Sequence, residues 1–377
     1  MKLINRIKDF NERVREKIGW KILDGYLLRK MLGTVVFAIT LLMTIVIVFD
    51  MSENIQRFIS HNIPAKEVIT GYYFNFIPYF INLFIPLFTF ISVIWFTSKL
   101  SSNNEIISIF DNGISFNRML VPYVTGAVII MFFSLILANF IVPTTNKKLN
   151  DFKYQYFGRR AISTTYLHIK NSKNSYIFLE RWDKTEAIGY NFTYEVFDSN
   201  ALRYKISAQT IDYNEDTKKW SLHHYTKRII TPDNEEQIFR GDVFDTSFNI
   251  TPINFFQDIS VSETMSYREL RQFIREEKLR GSSLLASYQI EQHKRLANPL
   301  GILIMTLLGV SVSCRKTTRG VGVHIFIGMG LAFSFIFLQQ VSTVFSVSGG
   351  LPPILGTWIP NIIFLIITVI MLIMTPK

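Results

Sequence analysis

Residues 190–208, YNFTYEVFDSNALRYKISA, decide the fold by what they interrupt. Tyr190, Phe192, Tyr194 and Val196 alternate with Asn191, Thr193 and Glu195, and Leu202, Tyr204, Ile206 and Ala208 alternate with Arg203, Lys205 and Ser207. That period of two, broken by the turn signal Asp198-Ser199-Asn200, predicts two antiparallel strands. Runs at Thr165–Lys170, Ser175–Arg181, Trp220–Leu222 and Gln237–Asp245 continue the pattern, with a turn at Asn214-Glu215-Asp216. Six or more short strands imply a sandwich, jelly roll or open barrel with one apolar inner face.

On either side the chain changes character. Spans of membrane length are expected at about 32–49, 68–98 and 119–142, then at 296–313, 321–345 and 354–374. A hydrocarbon core of about 30 Å takes roughly 20 apolar residues as a helix, and each segment is near that length. Pro78 and Pro86 remove backbone donors from the second, which predicts a kink or tilt. The expected fold is therefore an α+β membrane protein: six transmembrane helices, three before and three after an inserted β-domain resembling a jelly roll. Its parts are a surface segment at 1–31, spans at 32–148, the β-domain at 149–263, and a connecting helix with three spans at 264–377.

Composition agrees. The chain has 377 residues, 49% of them hydrophobic, 33 phenylalanines and a net charge of +11. Between 150 and 262 acids and bases nearly cancel, so the excess lies beside the spans, where cations follow topology and anionic headgroups rather than nucleic acid. Leu3, Ile4, Ile7, Phe10, Val14 and Ile18 at helical spacing among Lys and Arg suit a helix on the membrane surface, or equally a solvated helix packed on a partner. So polar a start is not expected to be a cleaved signal peptide. Lys21, Arg29 and Lys30 before the first span, and Arg315, Lys316 and Arg319 between the fourth and fifth, set both termini inside. The charge-free loop Ser346–Pro353 and the β-domain then lie outside.

Catalysis finds no support. There is no G-x-x-x-x-G-K-[S/T] loop, H-E-x-x-H or G-x-S-x-G, and the lone Cys314 excludes an intrachain disulfide or a cysteine cluster. His223 and His224 are strand neighbours expected on opposite faces. The sequons Asn191-Phe192-Thr193 and Asn249-Ile250-Thr251 are weak signals. No cofactor and no metal site is expected. The spans lack the buried Asp, Glu or Arg of proton and ion pathways, leaving only His324. Energy for transport would have to come from a partner. Ser102-Asn103-Asn104-Glu105 reads as a capping box opening a short helix that Gly113 closes, between spans two and three. Ser266-Tyr267-Arg268-Glu269 is a second box, with Tyr267, Leu270, Phe273 and Ile274 on one face and Gly281 at its end.

Several stretches together resemble the lipopolysaccharide-export permeases LptF and LptG (YjgP/YjgQ). They are Ile22–Lys30, Asn104–Ser108 with Gly113-Ile114-Ser115, Met265–Leu270, His293–Pro299, Gly350–Pro353 and Trp358–Asn361, the tail being nearer LptG. The resemblance implies an ABC-transporter permease of a Gram-negative inner membrane, paired with a paralogue (LptF-like) and driven by an LptB-like ATPase dimer. It implies that lipopolysaccharide passes through the periplasmic β-domain to LptC-like and LptA-like proteins. Glu105 matches the acid of the coupling helix, with Ile106, Ile109 and Phe110 beside it as the surface for the ATPase. Arg57, Lys66, Lys294 and Arg295 are candidate contacts for lipid phosphates, and Tyr190, Phe192, Tyr194, Tyr204 and Ile206 are the candidate lipid groove. One departure is that residues 31–49 hold none of the lysines LptG relatives can carry there. A membrane-anchored bridging or assembly protein, or a permease for another lipid or lipoprotein, are the alternatives.

Overall fold

The computed structural model describes residues 21–157, 164–172, 174–183, 186–198, 201–215, 217–231, 235–248, 250, 252, 260–280, 282, 284–314 and 321–375. The expected surface helix before residue 21, the sequon at Asn249, the helix end at Gly281 and the cations Arg315, Lys316 and Arg319 lie outside those residues. Among the described residues, six helices are long and apolar enough to cross a membrane: α1 (Ile22–Ser60), α2 (Ala65–Ser102), α4 (Phe116–Tyr156), α7 (Leu285–Ser313), α8 (Val321–Val347) and α9 (Pro353–Met374). Each of the first three outruns its apolar stretch. At 1.5 Å per residue the 39 residues of α1 reach about 58 Å, so its polar ends extend beyond the hydrocarbon.

Helical hydrogen bonding continues through Pro78 and Pro86. The departures from α-geometry sit elsewhere, as π-turns at Val68–Tyr73 and Leu137–Ile141. Neighbouring helices can re-satisfy the carbonyls that proline strands, so a proline need not break a membrane helix.

Two apolar clusters organise the helical unit. Leu27, Met31, Val93, Phe96, Met119, Tyr123 and Ile302 join α1, α2, α4 and α7, while Phe90, Ile94, Met305, Leu308, Phe335 and Phe364 join α2, α7, α8 and α9. Lipid is as apolar as leucine, so such helices associate by close packing and shared hydrogen bonds. Gly309 admits Val93 and Phe90, whose atoms would stand 3.1 and 3.2 Å from an added Cβ. Asn361 Nδ2 donates to the Ala297 carbonyl (2.9 Å), and Gln339 Nε2 donates to Asn298 Oδ1 (3.0 Å).

The β-unit is one antiparallel sheet of six strands in sequence order: β1 (Thr164–Ser172), β2 (Ser175–Asp183), β3 (Ile188–Asp198), β4 (Ala201–Asn214), β5 (Lys219–Ile230) and β6 (Glu236–Thr246). Its connectivity among the described residues is a meander, so the likeness to a jelly roll lies in the apolar-lined face and not in Greek-key crossings. The alternation expected along β3 slips. Asn191 adopts φ 52°, and the buried positions become Gly189 and Phe192 rather than Tyr190 and Phe192. His224 (φ 49°) does the same in β5, where Trp220 and Leu222 precede Tyr225 on the packed side. Register pairs Tyr190 with Arg181 and with Thr210, Thr210 with His223, and His223 with Val243. The strands from β2 to β5 thus change phase along one line, as bulge-like irregularities allow.

The sheet's core contains Leu167, Leu179, Trp182, Phe192, Ile206, Ile211, Trp220 and Leu222. The Trp220 indole N–H donates to the Ile250 carbonyl at 3.0 Å. Two helices follow, α5 (Ser260–Glu263) and α6 (Tyr267–Arg280). In α6 the capping box forms, with Ser266 N–H donating to Glu269 Oε2 at 2.8 Å. Leu270 and Ile274 pack with Tyr288, and Phe273 joins their edge, whereas Tyr267 is exposed.

Candidate functional site

Helix α3 (Glu105–Asp111) lies between α2 and α4, as the sequence predicts, but it starts differently. Asn104 precedes it in the left-handed region (φ 60°), which asparagine tolerates better than other non-glycine residues. No side chain caps its N-terminus among the described residues, so the expected box between Ser102 and Glu105 does not form. Glu105 instead reaches α1. Its Oε2 accepts from the Tyr26 hydroxyl at 2.9 Å and stands 3.8 Å from Lys30 Nζ, while Oε1 accepts from Asn103 Nδ2 at 3.4 Å. Lys30 also donates to the Tyr26 hydroxyl and lies 4.3 Å from that ring's centre. Ile106 points the other way, buried in the cluster of α1, α2, α4 and α7; Phe110 packs at its edge and Ile109 is half-buried.

A second tie joins α1 to α4. Asp24, almost fully buried, accepts both terminal nitrogens of Arg118, at 2.8 and 2.5 Å, and the Lys21 backbone N–H at 2.7 Å. Ser115 caps α4 one turn before, accepting from the Arg118 N–H at 3.4 Å. Asp24, 3% exposed, and Arg295, 5% exposed, are a buried acid and a buried base. Both sit where a helix continues past its apolar stretch, a region outside the hydropathy-defined spans. His324, the titratable group noted in the sequence, is buried with Nδ1 3.0 Å from Ser98 Oγ. The sequence reading gave Tyr26, Asp24 and Arg118 no role of their own and Lys30 only a topological one; the available signal was four polar side chains crowded into Ile22–Lys30 just before an apolar run.

The candidate phosphate contacts differ from one another. Arg57 is exposed and stands 5.9 Å from the centre of the Phe157 ring, and Lys66 is exposed. Lys294 is half-buried, whereas Arg295 is buried and engaged in contacts.

On the β-domain face, Phe192 and Ile206 are wholly enclosed by the chain's own core. Tyr190 leaves that face at the slip and lies under Arg181, 4.4 Å from guanidinium to ring centre. Tyr194 and Tyr204 form the half-buried edge, with ring centres 6.0 Å apart. Register adds a residue the sequence reasoning passed over: Lys227 lies opposite Ile206, with its ammonium 5.5 Å from the Tyr204 ring and 5.8 Å from that of Phe244. Burial, then the phenols of Tyr194 and Tyr225, push the Tyr204 hydroxyl's pKa up, so it remains a donor at neutral pH.

Known proteins resemble the chain along most of its length. Residues 25–374 match the family described as lipopolysaccharide export system permease LptF/LptG. The lipopolysaccharide export system permease protein LptG of Haemophilus influenzae is 23% identical over 360 residues, covering 91% of this chain and 96% of the relative. The LptG of Escherichia coli K12 is 19% identical over 296 residues, 78% of this chain and 81% of the relative. With the match running from the first turn of α1 to the last residue of α9, the chain belongs to the LptF/LptG family of lipopolysaccharide export permeases.

Proposed function

We propose that this multi-pass inner-membrane protein is the permease half-unit of an ATP-driven exporter that lifts lipopolysaccharide out of the bilayer and feeds it to the β-domain. The observation that carries the proposal is the double tie at one end of the bundle: Glu105 of α3 to Tyr26 and Lys30 of α1, and Asp24 of α1 to Arg118 of α4. A push on α3 is thereby shared with the spans on both sides. An LptB-like ATPase dimer docked on α3 supplies the push, since the chain carries no phosphate-binding loop of its own. An LptF-like permease completes the cavity. Both termini and α3 face the cytoplasm, and the β-domain faces the periplasm, where LptC-like and LptA-like domains accept the lipid.

Arg57, Lys66 and Lys294 are accessible enough to meet lipid phosphates, to which charge-assisted bonds are strong. Arg295 supports the entrance from within. On the β-domain the lipid meets Tyr194, Tyr204 and Lys227, since Phe192 and Ile206 are already enclosed. The test is Glu105→Arg, which reverses the charge beside Lys30. Export and co-purification of the ATPase are expected to fall to background at normal protein level. Survival of both would remove α3 from the coupling route.

A further inference from the structure

We propose that the groove along α1 facing Trp95 of α2 binds the headgroup of an anionic phospholipid from the leaflet on the α3 side. The groove has a volume of about 1030 Å³, and its lining includes Lys21, Arg29 and Lys30 but no carboxylate. Lys30 is already shared with Glu105, whereas neither Lys21 nor Arg29 has a carboxylate within 4 Å among the described residues. Two cations are thus left facing an open concavity.

The lining is graded along the helix. Cations occupy positions 21, 29 and 30, and the far end carries Phe37, 67% exposed. From 21 to 37 is about 24 Å of helix, close to the reach of one lipid from headgroup to acyl chain. Tyr26 lies among the cations and Trp95, 43% exposed, lines the groove from α2; such amphipathic rings favour the headgroup boundary. Gly33 forms part of the wall, and among the described residues a Cβ there would meet nothing within 4 Å, so the groove is open at that point.

Charge selects the occupant. The 20 residues before Lys21 hold six Lys and Arg against three Asp and Glu, so the chain's own start carries the same sign as the groove. An apolar helix laid there would cover cations without neutralising them, which costs more than it returns. A phosphodiester neutralises them with charge-assisted hydrogen bonds while its acyl chains cover Phe37 and Trp95. This site shares Tyr26 and Lys30 with the tie to α3, but it rests on Lys21 and Arg29 and so holds whether or not the export route does.

The experiment uses the full chain in nanodiscs of phosphatidylcholine with phosphatidylglycerol, released into native mass spectrometry. Retention of phosphatidylglycerol about ten-fold above phosphatidylcholine is expected from two exposed cations near the surface. Lys21→Gln with Arg29→Gln should abolish that preference, and Gly33→Leu should lower retention of both lipids by filling the groove with the cations intact. Equal retention of the two lipids by the native chain, or an undiminished preference in the double variant, would overturn the proposal. Two competition arms fix the ligand's source. Displacement by millimolar inorganic phosphate would make the site one for a free anion, and preferential displacement by lipid A would assign it to the exported lipid. Either result also overturns the proposal; retention against both supports it.

Discussion

Glu105 shows how a residue's identity can be legible while its partner is not. A Ser-x-x-Glu spacing ordinarily pairs the glutamate with its own helix start. Here the left-handed Asn104 turns the chain so that the carboxylate meets Tyr26 and Lys30, residues far away in sequence, and no local pattern encodes that. Tyr26→Phe deletes two hydrogen bonds at an exposed position, one donated to Glu105 and one accepted from Lys30, and leaves the ring in place. Export is expected to drop about five-fold, with the ATPase still bound and the melting temperature unchanged. The Asp24–Arg118 pair is a different case, because Asp24 is buried. Asp24→Asn should cost about 2 kcal/mol in thermal or denaturant unfolding in detergent, less than a fully buried pair would lose because Arg118 keeps 30% of its side-chain surface exposed. Replacing both by leucine should recover part of that loss, since no lone charge is then left behind.

Among the elements, those whose signals are local were legible and those set by neighbours were not. The box at Ser266 needs only four consecutive residues, and it forms as the sequence indicates. Its backbone N–H holds the Glu269 carboxyl below the usual carboxylate range. A lowered folded value means that its contribution to α6 is complete above the unfolded carboxylate pKa of about 4.3 and is lost as pH falls through the folded value. Amide exchange at the first turn of α6 should therefore accelerate below about pH 4 in the native chain. With Glu269→Gln that pH response should disappear. The strands were legible as strands, because alternation is a property of each run. Their change of phase was not, because it turns on Asn191 and His224 taking positive φ under tertiary packing. Helix bounds were underestimated for a related reason: hydropathy ends at the hydrocarbon edge, but backbone hydrogen bonding does not. The close approach at Gly356 was equally invisible. A Cβ there would stand 2.8 Å from the Ser342 carbonyl oxygen and also crowd the Ser346 side chain. Gly356→Leu should part α8 from α9 and lower stability by about 1–3 kcal/mol, read as loss of the folded fraction in detergent unfolding.

For the whole molecule, orientation is the property on which the export scheme rests, and charge is what supports it. Lys21, Arg29 and Lys30 crowd the start of α1, whereas Ser346–Pro353 between α8 and α9 carries no charge. With six spans, the proposed topology puts the β-domain and the α8–α9 loop outside and α3 inside. The chain is unusually convenient for testing this, because its single cysteine, Cys314, is buried and gives little background to an aqueous thiol probe. Glu215 in the turn between β4 and β5, Ser348 after α8 and Asn103 before α3 are all exposed. In cells whose outer membrane alone has been permeabilised, Glu215→Cys and Ser348→Cys should react with a membrane-impermeant maleimide. Asn103→Cys should react only after the inner membrane is broken. The two outward positions sit on segments far apart in the chain, so they fail together only if the whole arrangement is inverted. In that event the β-domain would share a compartment with the ATPase, lipid could not leave through it, and the export scheme would fall even with every helix in place.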